Sequence, residues 1–294
     1  MGCSLCPREC GAERSKGQTG LCGAGKDILI GKVTRFYFEE PPISGDNNSG
    51  GSGMIFFSGC SLRCVYCQNK TISHSLNGNA VTRERLKDIM LTLQDEGALN
   101  INLVTPSHYS EDIAAVLSEI KPLLRIPIVY NCSGYEKVET LQMLNGLIDI
   151  YLPDFKYYSK EAAKKYSDAE NYFDVALPAI KEMVSQVGAP FLENGIMKKG
   201  VLVRHLVLPS HRKDSEEILK ALAKEIGTDK ILISLMRQYT PSFASDSFPE
   251  LKRKVTEFEY RSVVDLSLSL GFFGFSQDKS SSSEEFTPNF DFKG

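Results

Sequence analysis

Positive charge is not in excess here: 34 Lys and Arg stand against 37 Asp and Glu, a formal charge of −3 in 294 residues. Nothing in that balance calls for nucleic acid or an anionic membrane surface as a partner. No apolar run approaches the roughly 18 residues that a membrane helix needs. The opening Met1-Gly2-Cys3-Ser4-Leu5-Cys6-Pro7-Arg8 has no apolar core of the kind a secretory signal carries. The compartment expected from this is the cytoplasm. Histidine is scarce, with four in the chain, and none lies in His-Glu-x-x-His. Gly-x-Ser-x-Gly and Gly-x-Gly-x-x-Gly are missing too, so no zinc-protease, hydrolase or dinucleotide signature competes for the function. The glycine-rich run from Gly45 to Gly53 lacks the Gly-Lys-Ser/Thr ending of a phosphate loop and reads as a linker into a strand.

Cysteine, by contrast, is plentiful, with eight in the chain. Without export these are expected as metal ligands or free thiols rather than disulfides. Cys60, Cys64 and Cys67 follow the apolar run Met54-Ile55-Phe56-Phe57 at C-x3-C-x2-C spacing, a strand feeding a loop that can wrap three sulfurs around one small object. Thiolates prefer soft metals and iron-sulfur clusters, and a cubane takes a ligand on each iron. Three local ligands leave one iron open to something other than protein. The alternative is a closed zinc or iron site completed by a distant thiol such as Cys132.

A second set, Cys3, Cys6, Cys10 and Cys22, lies among glycines in the first 25 residues. Four sulfurs at this spacing suit zinc, a rubredoxin-like iron or a second cubane. So short a segment could hardly hold itself by apolar burial, and a metal would supply the missing folding energy. The alternative is four accessible thiols on an unstructured leader. The expected division is a metal-binding segment at 1–26 and a larger domain at 27–294.

Residues 27–40 alternate as strands do, and Pro41-Pro42 stops them. From Met54 onward apolar runs alternate with amphipathic segments, the pattern of strand-helix units and a parallel sheet. Leu86, Ile89, Met90 and Leu93 mark a helix with Thr82 as its N-cap and Gly97 as its stop. Leu219, Leu222, Ala223 and Ile226 mark another, with Asp214 and Glu217 spaced like a capping box and Gly227 at the end. Strands are expected at 101–104, 128–130, 148–152, 201–208 and 231–235. With the strand before the cysteine loop they make about six, too few to close an eight-strand barrel. The fold class expected is therefore α/β, an open partial (β/α)6 barrel. The run Ser280-Ser281-Ser282-Ser283-Glu284-Glu285 reads as a surface tail, with Phe286-Thr287-Pro288-Asn289-Phe290 packing back on the barrel.

In parallel barrels chemistry gathers at the C-terminal ends of the strands. Here each of those ends is polar: the cysteine loop, Thr105-Pro106-Ser107-His108, Asn131-Cys132-Ser133-Gly134, Pro153-Asp154-Phe155-Lys156 and Arg237-Gln238-Tyr239, with Arg204 and His205 inside the fifth strand. His108, His205 and His211, with His74 after the cysteine loop, are the acid-base candidates, although a lone histidine is more often structural. A protein that holds metals only for structure or electron transfer is the rival of another class. Such a scaffold has no need of a polar ring.

The cysteine spacing, with Tyr66 before its last member, resembles the C-x3-C-x-aromatic-C signature of radical S-adenosylmethionine (SAM) enzymes. The resemblance narrows to the pyruvate formate-lyase activating enzymes and their uncharacterised activase-like branch. It rests on the N-terminal Cys-Pro-x-x-Cys-Gly, Pro41-Pro42-Ile43-Ser44-Gly45, Phe56-Phe57-Ser58-Gly59-Cys60, Val129-Tyr130-Asn131-Cys132-Ser133-Gly134-Tyr135, Tyr151-Leu152-Pro153-Asp154-Phe155-Lys156 and Arg204-His205-Leu206-Val207-Leu208-Pro209. It implies a 4Fe-4S cluster on Cys60, Cys64 and Cys67 whose open iron is chelated by SAM. It also implies reductive cleavage of SAM to a 5'-deoxyadenosyl radical and hydrogen abstraction from substrate. Asp154 and Lys156 match an Asp-x-Lys element beside the cofactor, Asn131 and Ser133 lie where the third strand meets SAM, and Tyr66, Arg204 and His205 join them as cofactor contacts. The Gly-Gly-Glu that meets the SAM amino group is replaced by Thr105-Pro106-Ser107-His108, so Thr105 and Ser107 are the substitutes. The partners implied are an electron donor such as flavodoxin or ferredoxin and a protein substrate, a glycyl radical enzyme. Modification of a small molecule or peptide is the alternative.

Overall fold

The computed structural model describes residues 2–46, 49–241 and 247–277. The serine-rich run and the Phe286–Phe290 segment lie outside them. Its strands are β1 (Ile28–Phe36), β2 (Ser52–Phe57), β3 (Asn79–Val81), β4 (Ile101–Val104), β5 (Ile128–Cys132), β6 (Ile150–Pro153), β7 (Phe191–Glu193), β8 (Ile196–Leu206), β9 (Leu232–Met236) and β10 (Gly274–Ser276). The helices are α1 (Pro41–Ser44), α2 (Lys70–Ser73), α3 (Arg83–Asp95), α4 (Ser110–Ile120), α5 (Val138–Met143), α6 (Lys160–Ser167), α7 (Tyr172–Val187), α8 (Arg212–Glu225) and α9 (Glu257–Ser269).

Strands β2, β4, β5, β6, β8, β9 and β10 run parallel in the order β10-β9-β8-β6-β5-β4-β2, and β1 and β3 extend the β2 edge antiparallel. The order has two ends, so the barrel is partial, with six of its parallel strands where the sequence places them. The seventh, β10, is a three-residue strand that the sequence reading misses. No helix among the described residues is long and apolar enough to cross a membrane.

Side chains of a strand point alternately to opposite faces, and here both faces are buried. Ile55, Phe57, Leu103, Tyr130, Tyr151, Val203 and Ile233 pack outward in the main core. Val129, Ile150, Leu152 and Leu202 turn inward, where Ile43 of α1 joins them. That inward contact is why the chain between β1 and β2 is more than a linker: it fills one end of the barrel. Asn100 Nδ2 fastens it by donating to Ile43 O at 2.7 Å.

Helix α3 is as expected, since Thr82 accepts from Arg85 N at 3.1 Å and Leu86, Ile89, Met90 and Leu93 are buried. Each such side chain contributes about 1.5–3 kcal/mol through burial. The capping box expected at α8 is corrected. Its N-cap position is His211, and no side chain caps it. The Asp214 carboxylate instead accepts from Tyr158 N at 3.0 Å and Ser159 N at 2.6 Å, tying α8 to the start of α6.

Candidate active site

A cavity of about 390 Å³ occupies the barrel interior and extends from the β1 side, lined by Phe36 and Phe38, to the β10 side, lined by Phe275 and Gln277. At one end lie Cys64, Tyr66, Cys67, Gln68 and Asn69 of the cysteine loop. That loop follows β2 because Gly59 takes φ +93°, where a Cβ would lie 2.6 Å from Cys22 O. The wall carries Asn131, Asp154, Lys156 and Arg204, each at or near the C-terminal end of its strand.

The loop's sulfurs receive hydrogen bonds from Ser167 Oγ to Cys64 at 3.0 Å, from Ser73 Oγ to Cys67 at 3.3 Å and from Leu62 N to Cys60 at 3.4 Å. Tyr66 OH bonds Tyr157 OH at 2.6 Å, and Tyr157 OH bonds Ser167 Oγ at 2.7 Å, so a chain of hydroxyls ends on the Cys64 sulfur. Burial, and then the neighbouring Cys64 and Cys67, pushes the Cys60 thiol up to about 12. Thiols crowded into such a place favour a bound cation, which reverses that penalty. Among the described residues no three His, Cys, Asp or Glu side chains converge where one metal ion could sit. In a cubane each thiolate holds a different iron, so cubane ligands need not converge on a point. The donor set and its surroundings thus fit an iron-sulfur cluster.

Arg204 organises the charged wall. Its Nε donates to Asp154 at 2.9 Å, its Nη1 to Glu39 at 3.0 Å and its Nη2 to Asn131 Oδ1 at 2.7 Å. Lys156 Nζ donates to Asp154 at 2.6 Å. Burial alone would raise the Asp154 pKa, but Arg204 and Lys156 outweigh it and hold the carboxyl below its ordinary value. Burial likewise works against the Lys156 ammonium, and Asp154 and the nearby Cys64 sulfur overcome it to raise its pKa. Gly134, at φ +74°, lets this turn close, for a Cβ there would lie 2.2 Å from Asp154 O.

The site residues expected from sequence therefore separate into two groups. Cys64, Cys67, Tyr66, Asn131, Asp154, Lys156 and Arg204 line one cavity. Cys60, Thr105, Ser107, Ser133 and His205 do not. Ser107 Oγ donates to the buried Glu136 at 2.6 Å, and Ser133 Oγ accepts from Tyr135 N at 3.4 Å. His205 points outward, with Nδ1 at Phe155 O, 2.7 Å, and Nε2 at Ser215 Oγ, 2.8 Å. Thr105 follows Val104 of the cavity lining and takes φ +58°, a left-handed backbone that costs a β-branched residue about 1–2 kcal/mol. It keeps a conformation suited to glycine at the point where the resemblance has Gly-Gly-Glu. Burial lowers the pKa of His108 to about 4, with Nε2 at Ser58 O, 2.8 Å, and burial also lowers His205 and His211. His74, too, is lowered by burial and then by Arg63. In all four the shift favours the neutral ring, and each ring is held by hydrogen bonds within the fold.

Residues 2–27 contain no helix or strand beyond one 3-10 turn at Arg14–Lys16. They pack on the outside of the cysteine loop, where Cys60 N donates to Cys22 O at 3.2 Å and Arg8 donates to Ser61 O and Ser167 O. A Cβ on Gly20 would lie 3.2 Å from Cys10 Sγ and 3.3 Å from Cys22 Sγ, so these two sulfurs flank one glycine. Burial pushes Cys6 up to about 11 and also raises Cys22. Cys10 is lowered: its own burial is outweighed by the backbone of Ala12 and Leu21 and by Arg14. All eight cysteines are free thiols.

The chain can now be set beside known proteins. It is 29% identical over 226 residues to the uncharacterized protein MJ0674 of Methanocaldococcus jannaschii, a match that covers 73% of this chain and 61% of that one. Streptococcus suis SuiB bound to the precursor peptide SuiA superposes with a TM-score of 0.52 at 14% identity, over 74% of this chain and 46% of SuiB. A radical SAM methyltransferase from Sphaerobacter thermophilus superposes at 0.53 and 11% identity, over 77% and 66%. At such identities the two structures speak to the fold, and it is the partial barrel described above. The radical SAM superfamily model matches residues 54–222, more than half of the sequence and the part that builds β2 through most of α8. The chain belongs to the radical SAM superfamily, a membership that implies a 4Fe-4S cluster and SAM.

Proposed function

We propose that Cys60, Cys64 and Cys67 hold the cluster, that SAM lies in the adjoining cavity, and that the enzyme abstracts hydrogen from a partner protein in the manner of the pyruvate formate-lyase activating enzymes. The observation that carries this reading is one cavity bounded at one end by the thiol loop and walled by the Asn131, Asp154, Lys156 and Arg204 network. When bound, the cluster and SAM supply one-electron cleavage of the sulfonium and a 5'-deoxyadenosyl radical that takes hydrogen from substrate. The chain's own part is to bind, orient and exclude water. Asn131, Asp154 and Lys156 offer both donors and acceptors to the polar ends of SAM. Arg204, held on three sides, fixes Asn131 and Asp154 so that they are already oriented. Met54, Phe56, Val104 and Met236 give the cavity dry walls that protect a radical from solvent. Ser73, Ser167 and the Leu62 amide stabilise charge on the sulfurs.

The activase-like assignment rests on the motifs at 41–45, 56–60, 129–135, 151–156 and 204–209, and on the lateral opening, which would admit a loop of another protein. Thr105 is proposed as the substitute for the Gly-Gly-Glu contact, with Ser107, whose hydroxyl is committed to Glu136, Ser133 and His205 acting through the backbone they tether. The electron donor is proposed to be flavodoxin or ferredoxin, and the setting the cytoplasm, where thiols stay reduced. We assign residues 1–26 as a separate segment and its four cysteines as a second metal site.

Anaerobic reconstitution followed by detection of 5'-deoxyadenosine tests the chemistry, and Cys64→Ala should abolish the product. Deuterium transfer separates the substrate classes. A glycyl radical signal on a partner protein supports activation, and deuterium arriving only from a small-molecule fraction refutes it. Metal analysis of a variant lacking the other three thiols tests the N-terminal site: bound zinc, one iron or about four irons names its type, and no bound metal refutes it.

A further inference from the structure

The cavity end opposite the cysteine loop has a chemistry that the proposed reaction does not use. Strand β1 is antiparallel to β2, and Phe36 pairs with Ser52, the first residue of β2, while the cysteine loop leaves from the last. The chain after Phe36 therefore enters the barrel from the far end. It carries Phe38, Glu39, Glu40 and Pro41 into the cavity wall, and Ile43 plugs the space behind them.

From that side Glu39 and Glu40 reach the charged wall, where with Asp154 they make three carboxyls against two cations, Arg204 and Lys156. The cations are spoken for. Arg204 spends Nε on Asp154, Nη1 on Glu39 and Nη2 on Asn131, and Lys156 is on Asp154. Glu40 is left over. It is 8% exposed, it lines the cavity, and its buried Oε2 has no hydrogen-bond partner. A buried acceptor left unmet costs about 1–3 kcal/mol, and more when charged, so a carboxyl held in this state is poised for a ligand that supplies a donor. With Glu39 protonated the charges balance, and a cation is favoured over a neutral donor because its charge can take the place of that proton. The apolar approach favours a cation on an aliphatic stem: Phe36 and Phe38 meet edge to face, 5.6 Å between centroids, in the cavity lining, and Phe38 is exposed to solvent. Ring faces and edges of this kind also suit an ammonium electrostatically.

We propose that Glu40, supported by Glu39, is the recognition site for a cationic head group of the substrate, an ammonium or guanidinium at the end of an aliphatic chain that enters past Phe36 and Phe38. The group belongs to a lysine or arginine side chain or to a free alkylamine. The inference rests on the reading of this cavity as the place where substrate meets the radical. Glu40 lies on the chain that enters from the end away from the thiols, so the head group anchors there and the stem extends along the charged wall toward the cysteine loop. Glu39 serves a second purpose. Burial, opposed by Arg204 and assisted by Glu40 and Asp154, raises its carboxyl to about 8, so it retains a proton until a cation arrives and then releases it.

The test uses cluster- and SAM-loaded protein and non-turnover binding, read by calorimetry or ligand-observed magnetic resonance. The probes are n-butylammonium, n-butylguanidinium, n-butanol and n-butyrate, with acetyl-Gly-Lys-Gly-amide as the peptide arm. The cationic probes should bind in preference to butanol and butyrate, and Glu40→Gln should weaken them about tenfold or more, the loss of one charge-assisted hydrogen bond. Glu40→Asp, which keeps the charge on a shorter stem, should fall between, and it serves as the second variant if Glu40→Gln does not fold by circular dichroism. Tighter binding of the peptide than of n-butylammonium assigns the group to a protein, and the reverse to a free amine. Equal affinity of n-butylammonium for the wild type and for Glu40→Gln, or a preference for butyrate, overturns the proposal. So does a matching loss of SAM affinity in Glu40→Gln, which would give the carboxyl to the cation of SAM itself. Because no turnover is read, failure here leaves SAM cleavage standing, and absence of SAM cleavage would not explain an amine that binds.

Discussion

Replacing Glu39 by Gln should alter how stability depends on pH. Burial, countered by Arg204 and reinforced by Glu40 and Asp154, moves the Glu39 carboxyl from an ordinary 4.5 to about 8. A carboxyl raised in this way is protonated in the folded chain when it is already ionised in the unfolded one. The folded state then binds more protons, so the contribution of this carboxyl to stability is fullest below pH 4.5, declines as pH rises, and levels off above about 8. The whole shift corresponds to on the order of 3–5 kcal/mol. Glu39 and Glu40 interact closely enough that this titration belongs to the pair. Gln keeps an oxygen for Arg204 Nη1 and cannot ionise. Urea unfolding of matched preparations, wild type and Glu39→Gln, should give curves of stability against pH that diverge across this window in favour of the variant. Comparing the two removes the contribution of other titrating groups, among them Glu136, whose carboxyl is raised to about 7 mainly by burial. Parallel curves would refute the reasoning.

Other substitutions read other parts of the account. Asp154→Asn strips both Arg204 and Lys156 of a buried partner and should cost about 3–5 kcal/mol in urea unfolding. A loss under about 1 kcal/mol, the scale of exposed pairs, would mean that the network is solvated. Thr105→Gly should raise stability by about 1 kcal/mol as the left-handed backbone is relieved, and a loss would show that the Thr105 side chain has a structural contact worth more than the strain. Ser167→Ala removes the donor to Cys64 Sγ and should move the cluster midpoint potential to more negative values in a spectroscopic redox titration, whereas an unchanged potential would remove Ser167 from the cluster's surroundings.

Much of the fold is written in local patterns. The parallel strands announce themselves because a strand buried on both faces is a nearly unbroken apolar run, as at 128–130 and 150–152. Helix α3 is legible because Thr82 and the Leu86–Leu93 stripe are all local. The misreadings have non-local causes. Asp214 has the spacing of a cap, yet the amides it serves belong to residues 55 and 56 positions away. Strand β10 is Gly274-Phe275-Ser276, too short and too polar to show a period, and it exists because β9 offers an edge. In the site, sequence reaches the residues at strand ends. It does not reach Glu39 and Glu40, which precede two prolines and look like a solvated turn; only the plugging of the barrel by Ile43 carries them inside. Residues 204 and 205 illustrate the same limit, since both lie at the end of β8 and the pleat alone sends Arg204 inward and His205 outward.

The central claim is that the three thiols of the cysteine loop hold a cluster with one iron open to SAM, and electron paramagnetic resonance tests it most directly. Reduced, reconstituted protein should give a 4Fe-4S spectrum that changes on addition of SAM, and Cys64→Ala should lose that signal while any metal held by residues 3 to 22 remains. A spectrum indifferent to SAM in the fully reconstituted wild type, or a SAM-responsive spectrum that survives Cys64→Ala, would contradict the account.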